Sequence, residues 1–179
     1  MRNIVVTEFV SLDGVMEEPG WTFRYWNDEI ANFKGEESSA SDALLLGRVT
    51  YQGFAAAWPQ REGEGADYFN GVRKHVVSET LEEPLEWNNS ELIKDNIVER
   101  ITDLKRQDGE DIAVHGSATL VRTLMQHDLV DVYRLLVYPV VLGSGKRLFG
   151  EGVPATLKLL GSQPFGSGVV ALLYAPDRQ

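Results

Sequence analysis

The sequence predicts an α/β fold, with a mostly parallel central sheet, helices on both faces and an antiparallel hairpin at the C-terminus. Three observations carry that expectation. Short apolar runs at 3–10, 43–46, 74–78 and 111–115 alternate with stretches of helical periodicity. Runs so short and so continuously apolar suit strands covered on both sides. The last 25 residues then hold two strand candidates, 157–160 and 169–174, with only Gly-Ser and Gln-Pro turns between them. No repeat, low-complexity linker or composition break divides the chain, so one domain over residues 1–179 is expected.

Each element has a local reason. Residues 3–10 (NIVVTEFV) are β-branched and aromatic, and 11–20 carry the breakers Asp13-Gly14 and Pro19-Gly20. Asn27 or Asp28 caps a helix bearing Ile30 and Phe33. Residues 50–57 read as a helix that stops before Pro59, and 61–67 (REGEGAD) as a polar loop. Leu92-Ile93 is a further strand candidate. Ile97, Ile101 and Leu104 share one helical face, as do Leu120, Val121, Leu124 and Met125. Residues 132–141 form a strand interrupted by Pro139.

Composition removes several function classes. The chain has 17 basic and 27 acidic residues, a net charge of −10, which argues against a nucleic-acid surface. There is no cysteine, so disulfides, thiolate zinc sites and cysteine nucleophiles are excluded. The three histidines, His75, His115 and His127, lack metal-ligand spacing, and no metal site is expected. The start is too weakly apolar for a signal peptide, and no stretch approaches the roughly 20 apolar residues of a membrane helix. A cytoplasmic protein without membrane or nucleic-acid partners is expected.

Three places share one format, an apolar strand followed by small or polar residues and a helix or turn: LLLGRVTY (44–51), HVVSET (75–80) and AVHGSATLV (113–121). In a parallel sheet such ends line one edge, where helix N-termini present free N–H groups to anions. Gly116 permits close backbone approach, while Ser117, Thr119 and Ser78 add hydroxyls. Arg48, directly after Gly47, offers a planar fork matched to a phosphate. Together they suit a dinucleotide carrying several phosphates. Rival motifs fail: Gly116 is followed two places on by Ala118, not Gly, and Gly145-Lys146 lacks the flanking residues of a P-loop. Asp13 and Glu29 are the acid–base candidates, and Trp21 and Trp26 are candidate walls for a flat ring.

The stretches SLDG, LLLGRVTY, VVSET, VHGSATLV and LVDVYRLLVYPVVLGSGKRLF, with the closing hairpin, resemble the dihydrofolate reductase superfamily. The chain is most similar to the reductase domain of the bifunctional riboflavin-biosynthesis deaminase/reductase and its stand-alone bacterial relatives. The resemblance implies a three-layer dihydrofolate reductase-like sandwich and an NADPH cofactor. Arg48, Thr50 and Ser78 would meet the adenosine 2′-phosphate and neighboring phosphate oxygens, with Gly47 at the strand end. Gly116, Ser117, Ala118 and Thr119 would hold the pyrophosphate, and Asp13 and Gly14 would lie near the nicotinamide ribose. It also implies a small heterocyclic or ribosylated substrate and a homodimer, with the 129–141 segment as a dimer face. Any deaminase step is excluded, because its cysteine ligands are missing. Where riboflavin reductases carry an acidic, proline-containing substrate segment ending in arginine, this chain reads YQGFAAAWPQR. The alternatives are dihydrofolate reduction, a cofactor-binding protein without turnover, or a purely structural module.

Overall fold

The computed structural model describes residues 1–178. The elements in chain order are β1 (Ile4–Ser11), α1 (Asp28–Ser39), β2 (Ser41–Gly47), α2 (Arg48–Ala57), α3 (Glu64–Gly71), β3 (Arg73–Val77) and β4 (Ser90–Ile93), then α4 (Ile97–Arg106), β5 (Asp111–Val114), α5 (Ala118–Gln126), β6 (Val132–Tyr138), β7 (Leu157–Pro164) and β8 (Val170–Pro176). The strands form one eight-stranded sheet in the order β4-β3-β2-β5-β1-β6-β8-β7. The six strands from β4 to β6 are mutually parallel, and β8 runs antiparallel to both β6 and β7. A dihydrofolate reductase-like sandwich with a C-terminal hairpin is therefore the architecture.

Period-two alternation assigns the two faces. Val6, Leu45, Val114 and Leu135 point toward the α4–α5 layer, where Ile101, Leu104, Leu120 and Leu124 close the larger core. Leu44, Leu46 and Val76 meet Tyr51 and Phe69 of the α2–α3 layer, and Leu136 and Tyr138 meet Ile30 and Phe33 of α1. Strands sandwiched this way have no solvent face, so they read as apolar runs.

One register feature positions the site. β1 pairs with β5 only as far as Val6↔Val114, yet with β6 as far as Ser11↔Tyr138. The last five residues of β1 therefore have no β5 partner. There β5 gives way to α5, at the center of the sheet's carboxyl edge.

The structure corrects one expectation. The polar loop read at 61–67 contains the start of α3, whose Ala66 and Phe69 are buried. Two glycines and only two buried positions hid the helix, which stacking of Phe69 on Trp58 (centroids 4.2 Å apart) holds in place. Within the segment expected as a dimer face, 129–141, β6 spends Tyr133, Leu135, Leu136 and Tyr138 on the core, while Val141 is exposed. Exposed aliphatic side chains also occur on the edge strand β7, at Leu159 and Leu160.

Candidate active site

The carboxyl ends of β2 and β5 meet. The Gly47 N–H donates to the Gly116 carbonyl at 2.9 Å. A Cβ on Gly47 would stand 2.5 Å from Ser117 Oγ and 2.9 Å from Ser117 N, so only glycine allows the approach. α2 therefore begins beside the first turn of α5, and two positive dipole ends share one edge. α2 has no side-chain cap, while the Ser117 side chain accepts from Leu120 N at 3.3 Å. The exposed Arg48 guanidinium donates to Gln52 Oε1 at 3.1 Å, its only side-chain partner among the described residues.

Gly116 has φ +103°, and a Cβ there would meet Thr50 Oγ1 at 2.9 Å and Met16 Cε at 3.4 Å. Thr50, Gly116 and Ser117 thus form one contiguous surface with Gly47, and Ala118 and Thr119 follow them as the first turn of α5. Ser78 lies just beyond β3, where its hydroxyl oxygen accepts from Thr80 N and Leu81 N at 3.2 and 3.1 Å. That leaves its proton as a donor.

The expected acids are held by other chains of contact. Asp13 accepts from Ser11 Oγ at 2.6 Å and from the backbone of Leu142 and Gly143 at 3.1 and 2.8 Å. Those bonds, Ser11 foremost, pull its pKa down to about 2. At neutral pH Asp13 is ionized: it accepts hydrogen bonds and has no proton to donate. Gly14, with φ +84°, receives the Leu148 N–H at 3.0 Å, and Val15 bridges to Arg147. The exposed Glu29 accepts the Gly166 N–H at 2.7 Å, tying the start of α1 to the β7–β8 turn. Trp21 is half-buried and, with Phe9 and Tyr25, surrounds Tyr138 edge-on at 5.5 to 5.7 Å. Trp26 is 52% exposed.

Sequence reasoning missed two groups. The first is basic. A cavity of about 540 Å³ lies between α5 and residues 146–151, lined by Ala118, Thr119, Arg122, Lys146, Arg147 and Phe149, with Glu151 as its one acid. Lys146 arrives because residues 14–16 and 146–148 hydrogen-bond across the edge. No local spacing announces that pairing. The second group is buried. Lys34 Nζ donates to Thr7 Oγ1 at 2.8 Å and to Glu37, Thr7 donates to Glu37 at 2.6 Å, and Arg134 Nε lies 3.3 Å from Glu37. Burial alone would raise the Glu37 carboxyl, but the neighboring Lys34 ammonium overrides it and holds the pKa below the usual value. His115 packs against Phe54 and Phe69, and burial pushes its pKa down to about 3, so it is neutral.

Comparison with known proteins places this geometry. The model of the RibD C-terminal domain family matches residues 2–171. The uncharacterized protein YyaP of Bacillus subtilis (strain 168) is 32% identical over 183 residues, spanning 97% of this chain and 94% of that protein. A structure named as a riboflavin biosynthesis protein, from Shewanella sp. PV-4, superposes with a TM-score of 0.78 at 24% identity, covering 98% of this chain and 99% of that one. Dihydrofolate reductase from Enterococcus faecalis, solved with NADP(H), gives a TM-score of 0.68 at 14% identity, over 98% and 97% of the two chains.

Proposed function

Since this chain belongs to the RibD C-terminal domain family, we propose that it is an NADPH-dependent reductase acting on a C=N or C=O bond of a small heterocyclic or ribosylated substrate. One observation carries this reading: the close packing of the β2–α2 and β5–α5 junctions, which sets Arg48 and Thr50 beside two helix N-termini. The residues suit the cofactor. Gly47 and Gly116 let the two junctions pack this closely, since a Cβ on either would strike Ser117 or Thr50. Bound NADPH would supply the hydride.

The chain's own residues bind and orient. Arg48, with Thr50 and the Ser78 hydroxyl, would take the 2′-phosphate and the neighboring phosphate oxygens, Thr50 from beside Gly116. Ser117, Ala118 and Thr119 would take the pyrophosphate through backbone N–H groups. Arg122 and Lys146 add local positive charge to a chain of net charge −10. Asp13 and Gly14 would lie near the nicotinamide ribose. A cytoplasmic homodimer completes the reading, with β7 rather than β6 at its face.

A second reading, cofactor binding without turnover, is favored by the engagement of both Asp13 and Glu29 in loop-tethering hydrogen bonds. Titration with NADPH and NADH, followed by nicotinamide fluorescence, tests the cofactor. Selective NADPH binding is expected, and no binding of either would overturn both readings. NADPH consumption with 5-amino-6-(5-phosphoribosylamino)uracil, with dihydrofolate and with related heterocycles then separates a riboflavin-type reductase, a dihydrofolate reductase and a binder.

A further inference from the structure

Arg122 lines the basic cavity from α5, and Lys146 and Arg147 line it from the segment that follows β6. All three are exposed, and none makes an ion pair among the described residues. The acids at hand do not neutralize them. Glu151, the one acid in the lining, is itself unpaired, and Glu17 accepts the backbone N–H of Lys146 at 3.1 Å, not its ammonium. Like charges set around one space repel one another, so the arrangement costs free energy until an anion enters.

The cavity is shaped as well as charged. A Cβ on Gly150 would stand 2.6 Å from Arg122 Nη2, so the guanidinium packs where a side chain at residue 150 would be. Arg147 Nε donates to the Asp13 carbonyl at 3.0 Å, which anchors that guanidinium and leaves the rest of its fork without a partner among the described residues. Phe149 rests edge-on against the buried Tyr133, with ring centroids 5.5 Å apart, and is still 42% exposed. A volume of about 540 Å³ falls in the range of sites for small organic molecules.

We infer that this cavity binds a small phosphate monoester with an aromatic body, its phosphate among Arg122, Lys146 and Arg147 and its ring against Phe149. A phosphate monoester carries a charge of about −1.5 to −2 at neutral pH and accepts on three oxygens. That suits two guanidinium forks and an ammonium better than a single carboxylate does. The ligand is separate from the proposed cofactor, whose phosphates are assigned to Arg48, Thr50 and Ser78 and to the start of α5. Ala118 and Thr119 border both sites, so the cofactor meets the charge of the cavity as a field that salt screens.

Phenyl phosphate and inorganic phosphate are the probes, titrated by calorimetry into the free protein and into protein saturated with NADPH. Phenyl phosphate should bind the free protein about threefold or more tighter than inorganic phosphate, because only its ring reaches Phe149. It should keep its affinity within about tenfold when NADPH is present, since the two anions are neighbors and not competitors. Arg122→Ala with Lys146→Ala should weaken phenyl phosphate about tenfold or more. Phe149→Leu, which keeps an apolar contact with Tyr133, should remove the preference for phenyl phosphate over inorganic phosphate. Arg48→Ala, at the other junction, should leave phenyl phosphate binding unchanged. Absence of phenyl phosphate binding, its displacement by NADPH, wild-type affinity in the Arg122→Ala, Lys146→Ala variant, or equal affinity for the two probes each overturns the inference. Failure of NADPH to bind overturns the cofactor reading alone, because the titrations of the free protein still decide the cavity.

Discussion

Gly47→Ala perturbs the contact on which the cofactor surface depends. Gly47 has φ −75° and ψ 161°, which alanine adopts freely, so any effect is steric and not conformational. The new methyl would sit 2.5 Å from Ser117 Oγ, 2.9 Å from Ser117 N and 3.1 Å from Ser117 Cβ. The backbone nitrogen cannot rotate away, so the start of α2 and the start of α5 must separate by about 0.5 Å to reach ordinary contact. Overpacking of this kind costs about 1–3 kcal/mol, or roughly 2–12 °C in melting temperature for a chain of this size. Adding Ser117→Gly removes Oγ and Cβ and leaves only the nitrogen contact. The double variant should therefore recover part of the loss, with a coupling of about 0.5 kcal/mol or more. Gly53→Ala is the control. It lies exposed on α2 with nothing within 4 Å of the added methyl, and should stabilize by about 0.5–1 kcal/mol. Thermal and urea unfolding measure these values, and NADPH titration follows the surface. If Gly47→Ala unfolds like wild type and binds NADPH equally, the two junctions do not touch and the reasoning is refuted.

Three further outcomes follow from the same geometry. Arg48→Ala should weaken NADPH by about 1–3 kcal/mol and leave NADH nearly unchanged, because only the former carries the 2′-phosphate; equal losses in paired titrations would contradict the assignment. Arg122→Ala with Lys146→Ala should flatten the salt dependence of NADPH affinity, and an unchanged slope would show that the basic cavity does not meet the bound phosphates. Asp13 has a folded pKa of about 2 against an ordinary 3.8, so its contribution is complete above the ordinary value and disappears as pH falls through about 2. Hydrogen exchange at the Leu142 and Gly143 amides should therefore stay protected down to that range in wild type and quicken at neutral pH in Asp13→Ala.

The sheet is legible in the apolar runs, because strands covered on both faces have no side left for polar residues. The sequence also located Gly47, Arg48 and Gly116–Ser117, since a strand end followed by glycine and a helix start is a local pattern. Tertiary structure decided what local pattern cannot carry. α3 exists because Trp58 stacks on Phe69, against the polar composition of 61–67. Glu29, an acid–base candidate from the sequence, is claimed by Gly166, 137 residues away in the chain. Lys146 and Arg147 reach the α5 edge only through pairing with residues 14–16. In each case the deciding partner is distant in sequence, and no periodicity of 2 or 3.6 residues encodes a distant partner.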